Sequence, residues 1–198
     1  DLVVRLERIG AIGADSETVV LGKASRHLED VLLPAILSER GRYSIENFFS
    51  FSELVHQRLT RSLGRYFGAE TSDDIGLVLR EMLINAIEHG NLEITYDEKT
   101  VAMTEDRYLA LIEQRRKARE YAARKINVRY RLSGEAVEYE IEDQGTGFDH
   151  QTQLARRPAA TESHGRGIHI ARNFFDRVEY NEKGNCVKLR KALASRRI

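Results

Sequence analysis

Two polar side chains stand four residues apart in a largely apolar stretch of the chain. Glu81 and Asn85 lie between an acidic segment at residues 71–74 and Gly90. Acids at the start and a glycine at the end predict a helix, and the four-residue spacing places both side chains on one face. A carboxylate can act as a base or orient water, and an amide oxygen can bind Mg²⁺ beside phosphates and waters. A buried polar pair bonded to neighbouring backbone is the alternative interpretation.

A carboxylate followed by two closely spaced glycines ends a second apolar pattern. The residues Asp143-Gln144-Gly145-Thr146-Gly147-Phe148 come directly after an alternating apolar segment. The aspartate can accept a hydrogen bond from an exocyclic amine, and the glycines let the backbone approach a ligand. A glycine-rich turn after an edge strand explains this pattern equally well when it is considered alone.

A third pattern, Ser163-His164-Gly165-Arg166-Gly167-Ile168, stands at the predicted start of a helix. Free N–H groups at a helix N-terminus suit phosphate oxygens, and the two glycines permit close approach. The spacing is not that of a Walker motif, and the segment does not open a Rossmann βαβ unit. Taken singly, this pattern indicates only weakly that a phosphate binds here.

The elements that must position these residues follow from the spacing of apolar side chains. Spacings of three and four predict helices, and strict alternation predicts strands. The predicted helices cover residues 25–40, 55–66, 71–90, the centre of 92–124, and a run that begins near 165. The predicted strands form hairpins within 1–24, 126–141 and 177–189, with a brief aromatic stretch at 48–51. Helices on one face of a mostly antiparallel, mixed sheet make an α+β fold, a two-layer α/β sandwich.

The composition is that of a globular protein with its own core. Of 198 residues, 41% are hydrophobic, and the 31 basic side chains balance the 31 acidic ones. The chain lacks the excess of basic residues that is typical of nucleic-acid-binding proteins. No apolar run approaches the ~20 residues that span a bilayer. The single cysteine, Cys186, fits a reducing compartment. The composition therefore predicts a cytoplasmic protein that contacts neither nucleic acid nor membrane directly.

Together, the three patterns resemble the GHKL ATPase superfamily, whose nucleotide-binding domain is the Bergerat fold. Within it the chain is similar to the small bacterial anti-sigma-factor serine/threonine kinases of the switch-protein type. The segments EMLINAIEHGN, YEIEDQGTGFD and SHGRGIHIARNFFDRVEYNEKGNCVKL correspond to the N, G1 and G2 regions of that family. The resemblance covers roughly residues 46–192.

The resemblance implies ATP and Mg²⁺ as cofactors and gives each pattern a role. Asn85 would coordinate the Mg²⁺ that bridges the phosphates, and Glu81 would be the catalytic base. Asp143 would bind the adenine amine. The residues implied to shape the pocket or to contact the nucleotide are Gly145, Gly147, Phe148, Gly165, Arg166, Gly167 and Ile168.

Two further features belong to the predicted site. Residues 149–164 would form a short lid, and from charge and position Arg156 or Arg157 would stabilise the transition state. In the final hairpin the family usually has threonine near the adenine, whereas this chain has Asn185 followed by Cys186. Asn185 retains hydrogen-bonding capacity, but a thiol is a poor substitute for a hydroxyl.

The domain prediction is an N-terminal extension at 1–45, a hairpin plus helix, followed by the ATP-binding domain at 46–192 and a tail at 193–198. A charged helical insert at 92–124 is expected to be an exposed, mobile or partner-facing excursion. The predicted function is phosphorylation of a STAS-like anti-anti-sigma partner, with a sigma factor as another partner and a homodimer left open. The alternatives are the catalytic domain of a histidine kinase and a nucleotide-gated binding module without phosphotransfer.

Overall fold

A seven-stranded sheet forms one layer of the fold. The computed structural model describes residues 3–6, 18–20, 36–150 and 166–193. The strands are β1 (Val3–Leu6), β2 (Thr18–Val20), β3 (Ile36–Ile45), β4 (Ile126–Leu132), β5 (Ala136–Glu142), β6 (Arg177–Tyr180) and β7 (Cys186–Ala192). They lie in the order β2-β1-β3-β4-β5-β7-β6, and every neighbouring pair is antiparallel.

Helices form the second layer. They are α1 (Phe49–Thr60), α2 (Gly64–Phe67), α3 (Ala69–Asn85), α4 (Tyr96–Thr104), α5 (Tyr108–Lys117) and α6 (Arg166–Phe174). A π-helical turn, Ala86–Asn91, continues α3 directly. Among the described residues, no helix combines the length and the apolar composition needed to cross a membrane.

The central strands show why the sheet forms and which face it buries. In β4, Val128 and Tyr130 are buried, whereas Arg129 and Arg131, which alternate with them, are exposed. Because side chains alternate between the two faces of a strand, this pattern buries one face of the sheet and leaves the other charged. The buried face packs into the same core as Leu79 of α3. The predicted α+β fold and the predicted hairpins are confirmed.

Strand β3 corrects the helix predicted over 25–40. Residues 36–40 are strand, and residues 21–35 lie outside the described residues. β3 pairs with β1 on one side and with β4 on the other, so tertiary pairing overrides the local helical pattern. Gly41, which the sequence marks as a helix end, is a strand residue whose missing Cβ leaves room for the Tyr130 ring.

The aromatic segment at 48–51 is also not a strand. Helix α1 begins at Phe49, and Ser52 Oγ donates to Phe49 O at 2.7 Å in its first turn. The Arg116 guanidinium lies 3.9 Å from the centroid of the Phe48 ring, so this aromatic side chain packs against the insert. Packing against a helix rather than strand pairing therefore sets the conformation here.

The insert at 92–124 contributes side chains to the core, which corrects the prediction that it is an excursion outside the core, although more than half of its residues are exposed. Its apolar residues Leu92, Ile94, Ile112 and Tyr121 are buried. Several of its charges are exposed and pair within the insert, as Lys117 does with Glu113 at 2.8 Å. High charge density thus misled the prediction, because a few apolar side chains suffice to anchor a segment.

Ile112→Ala is expected to destabilise the fold by about 2–5 kcal/mol because it leaves a cavity in the core. Leu109 lies on the same helix and is 74% exposed. Leu109→Ala is therefore the matched control, and its expected effect is within about 0.5 kcal/mol. Urea unfolding of both variants measures the difference. Equal destabilisation by the two substitutions would contradict the assignment of the insert to the core.

Candidate functional site

A cavity of about 380 Å³ lies between the end of α3 and the strands β5 and β7. This volume is within the range of about 300–1,000 Å³ that is typical of small-molecule sites. The predicted site residues that line it are Asn85, Asp143, Gly147, Phe148 and Asn185. The structure thus brings together side chains from the first two sequence patterns and from the final hairpin.

Asp143 provides an acceptor in this cavity. Its Oδ1 accepts from the Gly145 N–H at 2.8 Å, and its own N–H donates to Asn185 O at 2.9 Å. Burial raises the pKa of the carboxyl to about 6, although the hydrogen bond from the Gly145 N–H acts to lower this pKa. The side chain is therefore mostly ionised at neutral pH but costly to desolvate without a donor, and a ligand amine can supply that donor.

Two glycines allow this carboxylate to sit where it does. A Cβ on Gly90 would overlap the Asp143 carboxylate, and a Cβ on Gly145 would overlap the carbonyl of Gly90. The π-helical turn and the loop after β5 therefore meet backbone to backbone. Sequence reasoning treated Gly90 only as a helix end, because its partner lies more than 50 residues away in the chain.

A buried amide pair fixes the same junction. Asn91, fully buried, donates to Asn47 Oδ1 at 2.7 Å and accepts at its own Oδ1 from the Gln144 N–H at 2.7 Å. These bonds satisfy polar groups that would otherwise be costly to bury. They also tie the end of the π-helical turn to the residue that follows Asp143. No local signal in the sequence marks Asn47 for this role.

Asn185 stabilises the loop from the other side. Its Nδ2 donates to Asp143 O at 2.7 Å, and its Oδ1 accepts from Asn181 Nδ2 at 2.9 Å. Cys186 Sγ lies 3.8 Å from Glu140 Oε1, on the sheet face that faces away from the core. Burial and the neighbouring Glu140 raise the pKa of this thiol to about 11. The amide of Asn185, and not the thiol, thus anchors the backbone of Asp143.

The remaining predicted residues lie apart from this wall or outside the described residues. Glu81 is half-buried one helical turn before Asn85 and is not among the residues that line the cavity. Arg166, Gly167 and Ile168 form the first turn of α6. The predicted residues outside the described ones are Arg156, Arg157 and Gly165. The roles assigned to all of these residues remain predictions.

The cavity wall also holds residues to which the sequence analysis assigned no site role. His89 continues the four-residue spacing of Glu81 and Asn85, so the sequence carried a signal for it. Tyr96 and Tyr180 also line the cavity, and no site role was predicted for either of them. Their positions depend on how α4 and β6 pack, which local patterns do not reveal.

The residues present fit an adenine nucleotide with Mg²⁺. Apolar side chains of Met82, Ile141 and Val187 offer a surface for a flat base beside the Asp143 acceptor. Among the described residues, no group of three or more His, Cys, Asp or Glu side chains could hold a metal ion. Mg²⁺ needs few protein oxygens when phosphates and waters complete its shell, so the amide oxygen of Asn85 suits it.

ADP affinity is expected to fall as the pH is lowered through about 6, because protonation removes the charge from the Asp143 acceptor. Since nucleotide phosphates titrate in the same range, the quantity to measure is the difference between wild type and Asp143→Asn. Titration calorimetry between pH 5 and 8 should show a steeper loss for wild type. Parallel pH profiles would place the amine acceptor elsewhere.

Comparison with protein families gives a match over most of the chain. The model of the histidine kinase-like ATPase domain matches residues 54–191, which contain the whole described cavity wall. Comparison with curated proteins gives no significant match.

Proposed function

The chain belongs to the family of histidine kinase-like ATPase domains, and we propose that it is an ATP- and Mg²⁺-dependent serine/threonine kinase of the anti-sigma type. The observation that carries the proposal is the Asp143 carboxylate in a cavity whose helical wall holds Asn85. ATP binding is the property that the family match supports most directly. The kinase subtype draws its support from the resemblance of the N, G1 and G2 segments.

In this proposal, different residues bind the adenine, the metal ion and the phosphates. Asp143 accepts from the exocyclic amine of adenine, while Gly90 and Gly145 keep the space around its carboxylate free. Asn85 contributes an amide oxygen to the metal, and the first turn of α6, which begins at Arg166, would offer its free N–H groups to the phosphates. When bound, Mg²⁺ neutralises charge on the phosphates.

Glu81 acts as the general base in this proposal. Its carboxylate takes the proton of a serine or threonine hydroxyl while the hydroxyl oxygen forms a bond to the γ-phosphorus. The bond from that phosphorus to the bridging oxygen breaks, and ADP leaves with the electron pair. Arg156 or Arg157, in the segment that the resemblance predicts to be a lid, would stabilise the charge that develops on the transferred group. Glu81 lies one turn from Asn85, so base and metal ligand share one helix face.

The proposed partner is a STAS-like anti-anti-sigma protein, with a sigma factor as a second partner and homodimerisation left open. The histidine kinase alternative needs a phosphoacceptor histidine. His56, one candidate, is half-buried between α1 and α3, within 3.4 Å of where a Cβ of Gly76 would stand. That packing disfavours phosphorylation of His56, and His27 lies outside the described residues.

The test is a phosphotransfer assay with [γ-³²P]ATP, Mg²⁺ and a purified STAS-domain protein that has an accessible serine. Acid-stable label on the serine or threonine of that protein is the expected result. Acid-labile label on a histidine would favour the histidine kinase alternative. ATP-dependent capture of the STAS protein without any transfer would favour the binding module.

A further inference from the structure

The insert provides one wall of the cavity. Ile94, Thr95 and Tyr96, at the start of α4, all line it. The centroids of the Tyr96 and His89 rings are 4.3 Å apart, with the ring planes tilted by 44°. This part of the wall is therefore aromatic and is shared by the insert and the π-helical turn.

Backbone contacts fix where the insert leaves the π-helical turn. The Ile94 N–H donates to Glu88 O at 2.9 Å, and Ile94 O lies 2.6 Å from His89 Nδ1. Because a carbonyl oxygen only accepts, His89 carries a proton on Nδ1 and donates to it. Thr95 then forms a capping box with Glu98, so α4 begins at Tyr96. The position of Tyr96 is thus set by bonds on both sides of it.

A buried carboxylate holds the face of α4 that carries Tyr96. Glu88 is 1% exposed, and it accepts from Lys99 Nζ at 2.5 Å and from the Tyr108 hydroxyl. Tyr96 and Lys99 are three residues apart on α4, so they lie on the same side of that helix. A buried carboxylate without partners would be strongly destabilising, so the bonds from Lys99 and Tyr108 compensate the burial of Glu88.

The charges beside this wall indicate which part of a nucleotide it suits. Lys99 is engaged by Glu88, and Arg124 lies 2.8 Å from the carboxylate of Glu93, which also lines the cavity. These cations are therefore already neutralised and offer little attraction to phosphates. Uncharged aromatic faces suit a base or a sugar instead.

We propose that Tyr96 contacts the nucleoside part of the bound nucleotide and that Glu88, Lys99 and Tyr108 act as positioning residues for it. This inference rests on the proposed nucleotide binding. If Tyr96 contacts the nucleoside, the insert contributes directly to the nucleotide-binding site.

Calorimetric titration of ADP and AMP tests the contact. Tyr96→Ala is expected to weaken both nucleotides by about tenfold, as loss of an aromatic contact to a base typically does. Tyr96→Phe should keep most of the affinity. Val101, on the same helix and 53% exposed, provides the control, because Val101→Ala should bind like wild type.

The possible outcomes separate this inference from the proposed function. Wild-type protein that binds neither nucleotide would refute both. ADP binding by wild type with unchanged affinity in Tyr96→Ala would refute the inference alone. If Tyr96→Ala binds ADP more weakly but AMP with unchanged affinity, Tyr96 contacts the phosphates. That result would also refute the inference.

The positioning residues are tested by Lys99→Met, Lys99→Arg and Tyr108→Phe, titrated with ADP below the unfolding temperature of each variant. Lys99→Met and Tyr108→Phe should weaken ADP binding severalfold, and Lys99→Arg should restore most of the affinity because it keeps the charge. Variants that unfold more easily yet bind ADP like wild type would show that the Glu88 cluster supports the fold without positioning Tyr96.

Discussion

Glu81→Gln is expected to lower the single-turnover rate of phosphoryl transfer by about 10²–10⁴-fold, the usual contribution of a general base. The amide keeps the size and part of the hydrogen bonding of the carboxylate but cannot take the proton. Because Glu81 lies outside the cavity wall, ATP affinity should stay near the wild-type value. Rapid-quench measurements with [γ-³²P]ATP and a STAS-domain substrate give the rate.

Asn85→Ala is the companion variant, since Asn85 lies one turn further along the same helix and lines the cavity. Loss of the Asn85 amide should reduce the part of nucleotide affinity that depends on Mg²⁺, because this amide is the proposed metal ligand. If both variants lose affinity equally, Glu81 supports the metal site or the fold. If the rate of Glu81→Gln is unchanged, the base lies elsewhere and the kinase proposal loses its main chemical support.

Gly90→Ala is expected to weaken ATP binding by about 100-fold, roughly the value of a charge-assisted hydrogen bond. The new Cβ would overlap the Asp143 carboxylate, and the crowded Gly90 carbonyl next to Gly145 leaves little room for the backbone to move away. Asp143 would therefore be displaced from the cavity. Calorimetry measures the affinity, and thermal unfolding shows how much of the protein stays folded.

Gly134→Ala is the matched control for this substitution. Gly134 lies between β4 and β5, and a Cβ there would meet no atom within 4 Å. ATP affinity should not change in this variant. Folded Gly90→Ala protein with wild-type affinity would mean that the Asp143 carboxylate is not where the base binds.

Local patterns predicted much of the sheet and of the site for identifiable physical reasons. The alternation around Val128 and Tyr130 is determined by one buried sheet face, so strands were evident there. The N and G1 segments each place their polar residues within a few positions of one another. Asn85 and Asp143 could therefore be proposed from their motifs, and the structure places both in one cavity.

The features that sequence reasoning missed depend on contacts between distant residues. Residues 36–40 have a helical pattern but become strand because β1 and β4 pair with them. Asn91 meets Asn47 across 44 positions, and Gly90 meets Asp143 across the insert. Tyr96 lines the cavity from a helix whose Lys99 binds Glu88, 11 positions earlier in the chain. None of these contacts leaves a periodic or motif signal.

Asp143→Asn also tests whether the fold tolerates a neutral group at this position. Burial raises the pKa of Asp143 from 3.8 to about 6, so the folded state binds this proton more tightly than the unfolded state does. The carboxyl thus favours folding more below pH 4 than above pH 6. Replacement by the neutral amide should therefore not lower stability at pH 7, and a binding defect in this variant can be assigned to the site.

The most direct measurement is a calorimetric titration of ATP and GTP, with Mg²⁺, into wild type and Asp143→Asn at pH 7.5. Adenine presents an amine donor where guanine presents a carbonyl acceptor, so the Asp143 carboxylate should favour ATP strongly. Wild type is predicted to prefer ATP, and Asp143→Asn to bind ATP about tenfold more weakly with most of the preference lost. Equal affinity of wild type for ATP and GTP, or unchanged ATP affinity in Asp143→Asn, would contradict the assignment of this cavity to adenine.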